Sequence, residues 1–242
     1  MRKSAGVALL VALVAFSACG GGGGGVSIPF PFSPGTAWSY RHIQGTQQGT
    51  AVSTYRGQQI YRGMNLHKAD LTSTLLPATL SSTYFEWSGC AATRAIVVVT
   101  TTAQLELVLD RAVGLSCGPI SISGSLQIYL NGSFQGTAPW SASSSDGGEW
   151  LVTVPSGTYR TRRWNTLLAL AGRPELTSAG ANYIDRNHVT VLSDSQDGLG
   201  NQSRLEHVSG PVTSLQLELR ASDLLGGMPP LLIELRRAPA ER

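Results

Sequence analysis

The segment "SLQIYLNGSFQG" (residues 125–136) decides how this chain is read. Leu126, Ile128 and Leu130 alternate with Gln127 and Tyr129, the period of a strand with one face toward a core. Asn131-Gly132 comes next, and then a second arm. A two-residue type I′ turn needs positive φ at both central positions, which glycine adopts freely and asparagine tolerates. The pair between two alternating arms predicts a tight β-hairpin.

The same period extends in both directions. "TAWSYRHI" (36–43) puts Trp38 and Tyr40 on one face, Ser39 and Arg41 on the other. "STYFEWSG" (82–89) sets Tyr84 and Glu86 against Phe85 and Trp87, so one aromatic pair faces inward and the other lies at an edge. "RAIVVVTTTAQLELVLD" (94–110) is rich in β-branched residues and then alternates Leu105, Leu107 and Leu109 with Glu106 and Val108. "EWLVTVPSGTYRTRRW" (149–164) suggests a second hairpin turning at Pro155-Ser156-Gly157. "HVTVLSD", "VTSLQLELR" and "PLLIELRRA" supply three further strands toward the C-terminus.

Helical spacing is scarce. "WNTLLALAG" (164–172) has Trp164, Leu167, Leu168 and Ala171 on one helical face, stopped by Gly172 and Pro174, and predicts one short helix. "SASSSDGGE" (141–149) and "SDSQDGLGNQ" (193–202) read as turn-rich connectors. The expectation is an all-β, mainly antiparallel fold: a sandwich or partly open barrel of about ten short strands, with at most one or two short helices.

The N-terminus carries an address. Arg2 and Lys3 precede an apolar run of about a dozen residues, Ala5 to Phe16, too short to span a bilayer comfortably. Small residues lead to Cys19, and glycines occupy 20–25. "FSAC" (16–19) resembles the lipobox of bacterial lipoproteins, although Phe16 stands where that pattern prefers an aliphatic residue. The resemblance implies diacylglycerol on the Cys19 thiol, cleavage just before it and acylation of the new amine. It also implies an outer-membrane address, because Gly20 and not Asp follows the cysteine. Ordinary secretion and an uncleaved anchor are the alternatives. Six glycines behave as a coil spanning roughly 13 Å, a spacer between headgroups and a folded body. The expected organisation is a cleaved signal peptide (1–18), a lipidated cysteine and tether (19–29), and a single β-rich domain (30–242).

A second resemblance lies just beyond. "IPFPFSPGTAWSY" (28–40), with Gly35, Trp38 and Tyr40, looks like the opening strand of β-rich envelope lipoproteins of unassigned function. "VPSGTYRT" (154–161), with Pro155, Gly157, Tyr159 and Thr161, is similar to an internal strand of those chains. The resemblance implies a β-rich envelope protein and no particular reaction.

Composition narrows the partners. After residue 18 there are 16 basic residues against 15 acidic ones, with Lys68 the sole lysine, so no basic stripe for nucleic acid exists. Cys90 and Cys117 would pair in an oxidising compartment, closing a loop worth roughly 3–4 kcal/mol. Two free thiols, or metal ligation, are the alternatives. The dipeptide Tyr-Arg recurs at 40–41, 55–56, 61–62 and 159–160. Inward tyrosine with outward arginine explains it; an aromatic and guanidinium surface for a sugar or anionic polymer is the alternative.

Catalytic spacing is missing. There is no GxSxG elbow, Asn65 stands three before Lys68, and His42, His67, His188 and His207 are isolated, each expected at the surface or a strand end. Asp194, Asp197 and Asn201 offer oxygens for calcium, but a polar turn accounts for them equally. The expected function is a membrane-anchored, non-catalytic envelope lipoprotein without cofactor or metal, whose partner is an envelope protein, lipid or glycan. The alternatives are a carrier holding an apolar ligand in a half-barrel, a glycan module stacking sugars on Trp87, Trp140 or Trp150, and an unrecognised hydrolase.

Overall fold

A computed structural model describes residues 31–87, 92–101, 103–110, 118–174, 177–185, 189–211 and 236–237. The strands are β1 (Ala37–Gln44), β2 (Gln47–Tyr61), β3 (Met64–Ser73), β4 (Leu76–Trp87), β5 (Ala92–Thr100), β6 (Gln104–Leu109) and β7 (Ile120–Leu130). They continue as β8 (Ser133–Val154), β9 (Gly157–Leu170), β10 (Ser178–Ile184), β11 (Thr190–Asp197), β12 (Gln202–Ser209) and β13 (Arg236–Arg237). Each of β1 to β12 pairs antiparallel with its sequence neighbour, and β12 returns to β1 with His207 opposite Tyr40.

The result is a closed barrel of twelve strands, not a sandwich or a partly open barrel of about ten. Two misread segments account for the difference. "SASSSDGGE" is no connector: it lies inside the 22-residue β8, which pairs with β7 through Ser133–Ser144 and with β9 through Trp140–Val154. "WNTLLALAG" is no helix: it belongs to β9, hydrogen-bonded to β8 on one side and β10 on the other. Trp164, Leu168 and Leu170 satisfy a period of two as well as four, and Leu167, which only a helix would bury with them, is 39% exposed.

The predicted hairpin is present. Asn131 and Gly132 have φ of 50° and 79°, with Leu130 opposite Ser133. Arg62-Gly63 makes the same turn between β2 and β3, at 48° and 74°. Arginine rarely takes positive φ, so nothing in the residue pair itself announced that turn.

The inner face holds two apolar clusters. Trp38, Tyr40, Tyr55, Leu71, Phe85 and Leu205 pack together, with Phe32 and Trp87 against them. Val97, Val99, Leu107, Leu126, Trp140 and Leu168 form the other. Trp38 is fully buried; an aromatic of that size contributes about 5 kcal/mol of transfer free energy before chain entropy opposes it.

Two long hairpins overshoot the barrel and bend back over its outside. Past a bulge at Tyr55/Gly57, the β2–β3 arm lays Tyr61, Met64 and Leu66 against Tyr84, Ile96, Val98 and Val108. Past a bulge at Asp146/Glu149, the β8–β9 arm lays Trp150, Val152, Val154 and Tyr159 against Ala181, Tyr183 and Leu192. Bulges bend and twist a strand locally, which re-aims each arm.

Candidate functional site

Three parts of the barrel could carry function: the end where the described chain enters β1, the interior, and the charged surface near the two arms. At the entry end, Phe32 sits edge-on to Trp38 with ring centroids 4.9 Å apart, and the Gly35 amide donates to the Tyr55 carbonyl at 2.8 Å. Trp38 Nε1 donates to the Pro211 carbonyl at 3.3 Å. The chain therefore enters the barrel, and leaves β12, at the same end. Cys19, Cys90 and Cys117 lie outside the described residues. In sequence, Cys90 falls between β4 and β5, and Cys117 between β6 and β7, four strands that run side by side.

The interior has walls of two kinds. Strands β5 to β7 contribute Val97, Val99, Leu105, Leu107, Ile122 and Ile128. Strands β9 to β12 contribute hydroxyls and amides beside Leu168, Leu170 and Leu205. Asn182 Nδ2 donates to Thr166 Oγ1 at 3.3 Å, and Ser193 Oγ donates to Asn182 Oδ1 at 2.8 Å. A recess of about 20 Å³, partly open to solvent, is lined by Leu71, Ser73, Leu76, Thr79, Ser81 and Val99. That is room for about one water and far below the size of a small-molecule site.

The histidines depart from expectation. His42, His67 and His207 are buried, not at the surface; His188 is outside the described residues. His42 is fully buried, with Nδ1 2.6 Å from Ser73 Oγ and Nε2 3.1 Å from Ser203 Oγ, joining β1, β3 and β12 across the interior. His67 lies between the Tyr55 hydroxyl (2.6 Å) and Gln58 Nε2 (3.3 Å). His207 Nδ1 is 2.8 Å from Ser156 Oγ, while its Nε2 has no partner among the described residues. Burial disfavours the imidazolium in all three, and pushes His207 down to about 4. Two of these histidines, His42 and His207, come within reach of serine, the geometry the hydrolase alternative requires.

Each Tyr-Arg arginine meets a carboxylate. Arg41 Nε donates to Glu206 at 2.6 Å, Arg56 Nε to Asp70 at 2.7 Å, and Arg62 Nη2 to Glu106 at 3.2 Å; Arg160 lies 3.9 Å from Glu149. Glu206 is fully buried and also accepts from Arg204 Nε at 2.8 Å. Glu106 is buried beneath the first arm, where the Arg62 guanidinium stacks 3.8 Å above the Tyr129 ring. The Tyr61 hydroxyl is pushed up to about 12 by burial and then by the Glu106 charge. Burial opposes ionisation of Asp70, yet hydrogen bonds from Ser82 and Arg56 and the Lys68 charge outweigh it and hold the carboxyl below its ordinary range. Sequence showed these acids only as single charges inside apolar alternation, in "QLELVL" and "SRLEHVS".

The tryptophans are placed as follows. Trp140 is 2% exposed, and its Nε1 donates to Asp110 at 3.1 Å, so no ring face reaches solvent. Trp150 is half-buried, donates to the Gly147 carbonyl at 2.9 Å, and has the Arg163 guanidinium 5.3 Å from its ring centre. Trp87 is half-buried against the Trp38 cluster. Asp197 closes the β11–β12 turn, accepting from the Leu199 and Asn201 amides at 2.9 and 2.8 Å, while Asp194 lies 3.5 Å from Arg204. The polar-turn reading accounts for these residues.

No family model matches the chain, and no curated protein gives a significant match. Among solved structures it is similar to a protein named as a lipoprotein from Parabacteroides distasonis, at 13% identity over 75% of this chain and 97% of that one, with a TM-score of 0.45. It is similar also to an exported protein with a YmcC-like fold from Bacteroides fragilis, at 12% identity over 76% and 98%, TM-score 0.44. A third is the hypothetical lipoprotein YmcC from Escherichia coli, at 11% identity over 74% and 86%, TM-score 0.44.

Proposed function

We propose that this chain is a lipid-anchored protein of the bacterial envelope whose barrel serves binding or assembly and not catalysis, with the outer membrane as its address. The observation that carries the reading is the rooting of the tether. Only 12 residues separate Cys19 from Phe32, which is clamped onto Trp38 at the barrel end. A Gly-rich coil of that length spans roughly 20 Å, so an acylated Cys19 would hold the barrel close to the headgroups. Two or more acyl chains make such anchorage stable. The carrier alternative supposed a half-barrel; closure of the barrel, with apolar clusters on its inner face, favours the reading without a carried ligand.

The non-catalytic reading draws on the polar pairs. His42 is spent between two serines and fully enclosed, and Ser156 Oγ also donates to the His207 carbonyl at 3.0 Å. Both pairs link strands. Palmitate labelling with and without globomycin tests the anchor: labelled, processed protein in the membrane fraction is expected, and unlabelled soluble protein overturns it. A fluorophosphonate tests the second half. No adduct on Ser73, Ser156 or Ser203 is expected, and a stoichiometric adduct on any of them would make the protein a hydrolase.

A further inference from the structure

Near the second arm the ion pairs set Arg160 against Glu149, Arg162 against Asp146, and Arg41 and Arg204 against Glu206 and Asp194. Arg163 is the exception. Among the described residues it has neither a carboxylate in ion-pair reach nor a hydrogen-bond acceptor. Asp194 feels the Arg163 charge, but it is raised by burial and already serves Arg204 at 3.5 Å. The cluster therefore carries one positive charge that its carboxylates leave unmatched, and a half-buried charge without a counter-ion or acceptor is costly.

The unmatched guanidinium is held in place. Its carbon lies 5.3 Å from the Trp150 ring centre and 5.7 Å from that of Tyr183, in the corner of two rings that meet at 83°. The stem crosses β8 at the Asp146/Glu149 bulge, where a Cβ on Gly147 would come within 2.8 Å of Arg163 Cγ and Cδ. Nε is buried, while the two terminal nitrogens reach the surface. A guanidinium fixed by stacking has already lost much of its freedom, so less is lost when an anion binds. Its two free N–H groups form a fork that matches two oxygens of one anion.

We propose that Arg163 is the receiving group of a phosphate-binding site on the outer wall of the barrel, the phosphate being that of a lipid headgroup or the free ion. The oxyanion chemistry follows from the unmatched, stacked fork. Phosphate in particular rests on the anchored reading above, which brings headgroups to this part of the molecule. Ser156 fastens the second arm to His207, opposite Tyr40, toward the end where the described chain enters β1. Arg163 stands across the root of that arm, opposite Tyr183 in the ladder between β9 and β10.

The test titrates the full chain, in a non-ionic detergent, with inorganic phosphate and follows the Trp150 indole N–H beside the guanidinium by NMR. A saturable shift is expected with phosphate, and none with sodium chloride at equal ionic strength. Arg163→Met should abolish it. Arg163→Lys, which keeps the charge and loses the fork, should weaken binding about tenfold and decides the matter if the first variant fails to fold. Arg162→Met, an equal loss of charge one residue away, should change the affinity far less. A shift that never saturates, equal losses in Arg162→Met and Arg163→Met, or acetate saturating below phosphate would overturn the assignment. Dihexanoylphosphatidylglycerol, kept below its micelle concentration, separates the two sources: saturation below inorganic phosphate supports a headgroup site, and the reverse order a site for the free ion. The titration needs no acyl group on Cys19, so failure of the site and failure of the anchor are read apart.

Discussion

Ser156 and His207 hold each other twice: the hydroxyl lies 2.8 Å from the imidazole Nδ1, and the Ser156 amide donates to the His207 carbonyl at 3.3 Å. This contact fastens the tip of the β8–β9 arm to β12, two strands away from β10, the strand that β9 pairs with along the barrel. Ser156→Ala keeps the main-chain bond and removes the hydroxyl. It should cost about 1 kcal/mol of stability, read as a lower denaturant midpoint. Amide exchange should rise along Val152–Tyr159 and stay unchanged in β4 and β5.

Glu206 makes a sharper case, being fully buried between Arg41 and Arg204. Removing one partner of a buried pair strands the other charges. Glu206→Ala should therefore destabilise by about 3–5 kcal/mol, and Arg41→Met in the same chain should restore part of the loss. Chemical denaturation of the two single variants and the double variant measures the coupling. Purely additive effects would mean that the two residues do not act as a pair.

Acid should weaken the fold through its histidines. Burial holds His42, His67 and His207 below the ordinary value, His207 at about 4. The unfolded chain then takes up protons first as pH falls through about 6.5. Stability is full above that pH and declines until His207 itself titrates near 4. Asp70 and Asp146, held low in the native state, add to the decline at lower pH, while Asp194, raised by burial, opposes it. Melting temperature should fall as pH is lowered across this window, with a shallower slope for His207→Gln.

The turn at Asn131-Gly132 requires positive φ at both residues. Gly132→Ala should cost about 1–2 kcal/mol from Cβ crowding alone. Thermal melts check the size, and the ladder between β7 and β8 should be the first to lose exchange protection. An unchanged melting temperature would mean that the turn does not take this geometry in solution.

Cys90 and Cys117 stand in sequence between strands that are neighbours in the barrel. Protein recovered from an oxidising compartment should carry them as one disulfide, seen as a linked peptide that disappears on reduction. Reduction should lower stability by roughly 3–4 kcal/mol. Two alkylatable thiols in the untreated protein would count against the bridge.

The features legible in the sequence were local ones. Period two in "TAWSYRHI" placed Trp38 and Tyr40 inward, and Asn131-Gly132 named its own turn. Closure was not legible. It depends on β8 serving two neighbours in succession, and the serines and glycines that permit it look like loop. Nor were the arms, because a strand that bends out of a barrel keeps its alternation and changes only what it faces. The buried histidines and acids escaped for a related reason: a polar residue in an alternating stretch looks the same whether it meets water or a partner from a distant strand, as His42 meets Ser203.

The account stands most directly on the state of residue 19. Intact-mass spectrometry of the protein purified from bacterial membranes, after expression with its own N-terminus, should give a chain beginning at Cys19 and carrying a diacylglycerol and an acyl group. A mass matching an unmodified polypeptide, whether cleaved or not, would contradict it.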